Sequence, residues 1–252
     1  MLTPRIRLFV ILAAVFMTCL VVGDIIGGKL IEAHIFGQTF TLTVGMIPFP
    51  VTFLLTDVLN EFYGKRAARF VTLIGFSMAV LSFSFILLAG AIPIAPFTQQ
   101  PDWKGVNESS FANVFLGSQR ILIASMVAYM VAQFADIAVF HLLKRVTRNK
   151  LLWLRATGST VVSQLIDTVV ITVVAWTGLL SAKQMTNMII SSYSLKIMIA
   201  IGLTPLIYLA HALVQRGLRI EPVILDESGE PVAFSAMPAA VPAVQAWPER
   251  VE

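Results

Sequence analysis

The stretch Phe70-Val-Thr-Leu-Ile-Gly-Phe-Ser-Met-Ala-Val-Leu-Ser-Phe-Ser-Phe-Ile-Leu-Leu-Ala-Gly-Ala91 decides the fold class, because no charge appears between Arg69 and Asp102. A helix that crosses the hydrocarbon core needs about 20 predominantly apolar residues, and this run supplies them. The rest of the chain has the same character. Of 252 residues, 57% are hydrophobic and 13% charged, against about a quarter charged in a soluble domain. The mean hydropathy is +0.84. Such a composition excludes disorder for most of the chain. A single cysteine excludes a disulfide framework, and no Cys/His spacing suggests zinc.

Outward from this run, five further segments predict membrane spans: about Ile6–Asp24, Leu42–Leu59, Ile121–Leu143, Thr157–Leu180 and Met188–Val214. The first starts like a signal peptide, but Val21-Val22-Gly23-Asp24 is a poor cleavage site, so it reads as a retained span. The second carries Pro48 and Pro50 and is expected to be kinked or discontinuous there. The expected architecture is an all-α membrane protein of six spans over residues 1–219. Residues 220–252, rich in Pro, Ala and acids, are expected to form a disordered cytoplasmic tail. Between the third and fourth spans a short interfacial segment is expected around Phe111–Phe115.

Lysine and arginine in short loops mark the cytoplasmic side. Arg5, Arg7, Lys65, Arg66, Arg69, Lys144, Arg145, Arg148, Lys150, Arg155, Arg216 and Arg219 fall on one side; Lys29, Lys104, Arg120 and Lys183 fall on the other. Both termini are therefore expected in the cytoplasm, with the chain in the inner membrane. The same bias accounts for the net charge of +4 without a nucleic-acid partner.

The polar residues inside these spans are not scattered. Thr160, Ser163, Gln164, Asp167 and Thr168 share one face of the fifth span, and Ser125, Tyr129, Gln133 and Asp136 share one face of the fourth. Thr52, Thr56, Asp57, Asn60 and Glu61 crowd the end of the second, and Lys196 on the sixth is a candidate countercharge. A charged group at mid-membrane costs about 2.5–3.5 kcal/mol. An interhelical hydrogen bond returns only about 0.6 kcal/mol. Helix packing therefore accounts for Thr160, Thr168 and Ser125 but not for Asp136 and Asp167. Asp57 and Glu61 lie close enough to Lys65 and Arg66 to pair with them instead. Gln133-x-x-Asp136 recurs as Gln164-x-x-Asp167 on helices of opposite direction, the pattern an inverted repeat around a midplane site would leave. His34, His141 and His211 show no metal-ligand spacing. Gly23-Asp24 lacks the glycine at position 21 that an intramembrane aspartyl protease pattern requires. Asn107-Glu108-Ser109 matches a glycosylation sequon to which no function attaches.

Two segments carry a resemblance. Pro50-Val-Thr-Phe-Leu-Leu-Thr-Asp-Val-Leu-Asn-Glu-Phe-Tyr-Gly-Lys-Arg-Ala-Ala-Arg69 resembles the signature of the queuosine precursor transporter family, also called the vitamin uptake transporter family. Gly158-Ser-Thr-Val-Val-Ser-Gln-Leu-Ile-Asp-Thr-Val-Val170 resembles its second signature, and with Gln133-Phe-Ala-Asp136 the likeness covers about residues 6–215. The resemblance implies a six-span importer of 7-deazaguanine bases, with no cofactor. A small planar nucleobase-like substrate and the lipid bilayer are its expected partners, and it is expected to act alone or as a homodimer. The substrate-binding set expected on these grounds is Asp57, Asn60, Glu61, Gln133, Asp136, Gln164, Asp167 and Lys196. Chemistry fits the choice. A carboxylate accepts both the ring N1–H and the exocyclic amine of such a base in a charge-assisted pair. An amide from Gln133, Gln164 or Asn60 suits the 6-oxo group, and aromatic side chains suit the ring faces. Asp167 or Asp136 is the expected reader. The competing reading is a substrate-binding membrane subunit of an ATP-driven, energy-coupling-factor type importer, which resembles this chain in size. The Ala-x-x-x-Ala docking motif of those subunits is missing, since Met17 follows Ala13 and Thr18 follows Ala14 at that spacing.

Overall fold

A computed structural model describes residues 3–27, 29–35, 38–116 and 119–225, and for residues 30, 32–35, 38–42 and 119–122 its backbone alone. The elements are α1 (Pro4–Ile26), β1 (Leu30–Ile35), β2 (Gln38–Thr43), α2 (Phe49–Ala91), α3 (Glu108–Phe111), α4 (Gln119–Val146), α5 (Leu152–Trp176) and α6 (Ala182–Ala212). Short 3-10 turns lie at Val44–Met46 and Pro96–Gln99, and π turns at Ala112–Leu116 and Leu213–Gly217. Among the described residues five helical segments are long and apolar enough to cross a membrane.

Local chemistry sets the helix ends. The Thr3 hydroxyl accepts from the Ile6 N–H while Pro4 occupies the first turn of α1, where a missing N–H costs nothing. Ser181 and Gln184 form a reciprocal capping box at the start of α6. Pro48 and Pro50 likewise sit at the start of α2. The discontinuity expected at these prolines is thus a helix start, and residues 42–46 belong to a strand end and a turn.

The break inside α2 falls at Gly64, with φ 78° and ψ 177°, a region open essentially to glycine alone. It divides the 43-residue helix into arms 49–63 and 65–91. A break strands carbonyls that would otherwise accept within the helix. Here Glu61 O accepts the Val223 N–H at 2.8 Å and Lys144 Nζ at 3.3 Å. Phe62 O accepts Arg5 Nη2 at 2.7 Å.

A second departure from expectation is the antiparallel hairpin of β1 and β2, which pairs Leu30 with Thr43 and Ile35 with Gln38. Its end is tied to α1 by Thr43 Oγ1 donating to Gly27 O.

The helices pack with polar groups inward. α4 and α5 make the most extensive contact, followed by α5 with α6 and α1 with α2. Phe70, Phe85, Leu88, Ile123, Leu165, Val173 and Ile201 lie exposed on the outside, whereas Thr56, Asn60, Asp136, Ser159, Thr160, Ser163 and Thr168 are buried. That inversion suits a lipid solvent, which cannot satisfy polar groups. One apolar cluster joins Leu12 and Phe16 of α1 to Leu55, Leu59 and Phe62 of α2 and to Val214 and Ile220. Gly75 lets α1 and α4 approach α2: a Cβ there would meet Tyr129 Oη at 2.9 Å and Phe16 at 3.2 Å. Of the tail expected from residue 220, Ile220 and Leu225 are buried. The Leu225 backbone exchanges two hydrogen bonds with the Asn149 amide, at 2.9 and 3.1 Å. Residues 226–252 of that tail lie outside the described residues.

Candidate functional site

The inward polar faces of α2, α4, α5 and α6 build three levels along the bundle. The widest is a cavity of about 550 Å³ in the half away from Gly64, within the range of small-molecule sites. The C-terminal half of α1, both ends of α2, the π turn 112–116 and α4 to α6 line it. Of the expected binding residues it takes in Gln133, Asp136, Gln164, Asp167 and Lys196. The countercharge expected from Lys196 goes to Asp167: Nζ lies 2.6 Å from Oδ2, with side chains 13% and 22% exposed. Lys196 also donates to Thr168 Oγ1 at 3.3 Å and stands 5.7 Å from the Phe49 ring centre. Phe53 stacks at a tilt on Phe49, 4.3 Å between centres. A cation, a carboxylate and an aromatic face thus meet on one wall.

The lining also holds a carboxylate that sequence reasoning left out, Asp24. Asp24 Oδ1 accepts from Ser125 Oγ at 2.9 Å. Its partner lies 101 positions along the chain, so the only signal available was a charge at the end of an apolar run. Tyr129 donates to Thr72 O at 3.1 Å, and Trp176 also lines the cavity.

Beneath the cavity lies a second, buried level. Asp136 Oδ1 accepts from Ser163 Oγ at 3.0 Å, while its Oδ2 has no hydrogen-bond partner. Asp57 is 3% exposed and Asn60 fully buried, and both side-chain polar atoms of each are unpartnered, as are Gln133 Oε1 and Gln164 Oε1. Thr56, Asn60, Thr72 and Gln133 line a gap of about 10 Å³, room for one water-sized body.

The third level closes the bundle at the Gly64 end. Glu61 Oε1 lies 2.7 Å from Arg155 Nη2 and its Oε2 3.0 Å from Arg155 Nε. Lys144 Nζ reaches Oε2 at 3.0 Å, and His211 Nε2 stands 3.9 Å from Oε1. Arg155 also donates to the carbonyls of Asn149 and Lys150. The pairing of Glu61 with Lys65 or Arg66 gives way to this network: Lys144 and Arg155, expected as loop charges, are buried to 1% and 3% exposure. Asp57 has no salt bridge to either. Glu61 and Asp57 line neither cavity.

The profile of a family described as "Putative vitamin uptake transporter" matches residues 43–210. The chain is 32% identical over 182 residues to the "Probable queuosine precursor transporter" of Bacillus subtilis, covering 72% of this chain and 76% of that one. It is 29% identical over 129 residues to the "Queuosine precursor transporter" of Escherichia coli, about half of each chain. A "Probable queuosine precursor transporter" of Haemophilus influenzae is 28% identical over 132 residues, again about half of each. No solved structure matches the chain.

Proposed function

The chain belongs to the vitamin uptake transporter family, and from that membership we propose that it imports 7-deazaguanine precursors of queuosine across the cytoplasmic membrane. It is a multi-pass membrane transporter. In this reading it crosses the membrane six times, the arms of α2 on either side of Gly64 counting as two spans. Both termini lie in the cytoplasm. The orientation is supported by where the basic residues gather: Arg5, the Gly64 break and the α4–α5 connection are tied together at one end. The large cavity then faces outward, and the Glu61 network closes the cytoplasmic side.

One observation carries the choice of substrate. The Asp167–Lys196 pair beside Phe49 offers acceptors and a donor side by side. A guanine-like edge presents the complement, with two donors for the carboxylate and a 6-oxo acceptor for the ammonium. Phe49 and Phe53 supply an aromatic surface for the ring. Asp167 is therefore assigned as the base-reading carboxylate and Lys196 as its partner. Gln133, Asp136 and Gln164 lie within the same cavity. Asp57, Asn60 and Glu61 lie below it, outside direct contact.

The test is Asp167→Asn in cells fed a limiting precursor. An amide turns one acceptor into a donor facing the substrate's donors. Queuosine in tRNA is expected to fall well below the wild-type level, and wild-type restoration would refute the assignment.

A further inference from the structure

The level beneath the cavity has a charge problem that the substrate site does not solve. Asp57 is buried without a hydrogen bond or salt bridge, and the charges that act on it are those of Asp136, Glu61 and Arg155. Its neighbours along α2 and across on α4, Asn60 and Gln133, line the water-sized gap with unsatisfied amide atoms. Unpartnered polar groups in a dry interior are costly, and an unpaired charge more so. The nearby groups do not balance. From α2 comes Glu61, from α4 Lys144, from α5 Arg155 and from α6 the imidazole of His211. With that imidazole neutral, Lys144 and Arg155 exceed Glu61 by one positive charge. That surplus offsets one of the two carboxylates, Asp57 or Asp136, and leaves one negative charge unmet. The cavity above brings no relief: Lys196 neutralises Asp167, and Asp24 is a further carboxylate, hydrogen-bonded to Ser125.

We propose that the cluster of Asp57, Asn60, Gln133 and Asp136 is the site of one monovalent cation, a proton or a sodium ion, taken up with the substrate. The unpartnered oxygens of Asp57, Asn60, Gln133 and Asp136 are the acceptors it would use: Asn60 and Gln133 line the water-sized gap, Asp136 lines the cavity above, and Asp57 stands one helical turn before Asn60 on α2. One such charge balances the groups of this level, and one cation per substrate is the stoichiometry the proposal carries. Asp136 lines the substrate cavity and belongs to the cluster, so occupancy of either site is felt by the other. An empty cluster holds an uncompensated charge, which opposes closing the outer cavity over it. The proposal rests on the transport reading above.

The experiment uses purified full-length protein in proteoliposomes, with the membrane potential clamped at zero. Exchange of labelled for unlabelled 7-deazaguanine base, with no gradient present, tests transport itself; failure there overturns the transport reading and this one with it. Net uptake is then driven by a tenfold proton gradient or, separately, a tenfold sodium gradient. One of the two is expected to accumulate a neutral base up to about tenfold, the limit for one cation per substrate, and which one identifies the cation. Exchange without accumulation under either gradient overturns the proposal while leaving the transport reading intact. Asp57→Asn and Asp136→Asn, each checked for folding by its melting temperature, are expected to abolish accumulation. Wild-type accumulation in a folded Asp57→Asn protein also overturns it. Should neither variant fold, the wild-type gradients decide alone.

Discussion

Arg155 grips Glu61 through two parallel bonds, Nη2 to Oε1 at 2.7 Å and Nε to Oε2 at 3.0 Å, with both side chains 4% exposed. Removing one partner of a buried pair costs about 3–5 kcal/mol, and Lys144, which stays on Glu61 Oε2, offsets only part of that. Arg155→Met is expected to lower the melting temperature by an amount equivalent to several kcal/mol. Arg155→Lys should recover little of it. A lysine cannot form the fork or reach the Asn149 and Lys150 carbonyls at the same time. Equal melting temperatures for wild type and Arg155→Met would contradict this.

Gly64→Ala tests the helix break. The new Cβ meets only Val223, at 3.7 Å or more, so the penalty comes from the backbone angles and not from crowding. A loss of about 1–3 kcal/mol is expected. Gly202, inside α6 with nothing within 4 Å of an added Cβ, is the control. Gly202→Ala should be neutral or stabilising by up to about 1 kcal/mol. Thermal unfolding of the two variants in the same detergent decides.

Asn149 holds the segment after α6 by both its amide atoms. In Asn149→Ala the Leu225 N–H loses its acceptor. Hydrogen exchange at residues 220–225 is expected to rise, while α5 and the first arm of α2 keep their protection. Unchanged exchange at Leu225 would show that the segment is held by other contacts.

Cys19 is the single cysteine of the chain and lines the large cavity. A membrane-impermeant maleimide added from the outer side should label it in the wild-type protein, and a saturating 7-deazaguanine base should slow that labelling severalfold. Labelling only from the cytoplasmic side would contradict the orientation proposed for the cavity.

Much of this organisation was legible from periodicity. Thr160, Ser163, Gln164 and Thr168 repeat at helical spacing in an apolar run, and all four are buried. Their spacing is a local property of one helix, so sequence alone exposes it. The partners of Glu61 were not legible. Lys65 and Arg66 are near in sequence, but the helix breaks at Gly64, and the pairs form with residues 83 and 94 positions away. Asp24 was missed for the same reason, since Ser125 meets it only because α1 and α4 both pack on α2. The hairpin had a readable signal in the alternation Gln38-Thr-Phe-Thr-Leu-Thr43. A hydropathy window long enough to find spans averages such a period-2 pattern away. The prolines were read for what they do inside a helix, whereas at position 48 and 50 they begin one.

The central claim is that Asp167, with Lys196 beside it, reads the donor edge of a guanine-like base. Competition binding to the purified protein tests it most directly, comparing the nitrile form, the aminomethyl form, queuine and a 7-deazapurine lacking the 2-amino group. Wild type is predicted to prefer bases with the complete edge, and Asp167→Asn to lose roughly 10- to 100-fold in affinity for them. Equal affinity of wild type and Asp167→Asn for every base, with or without the amine, would contradict the account.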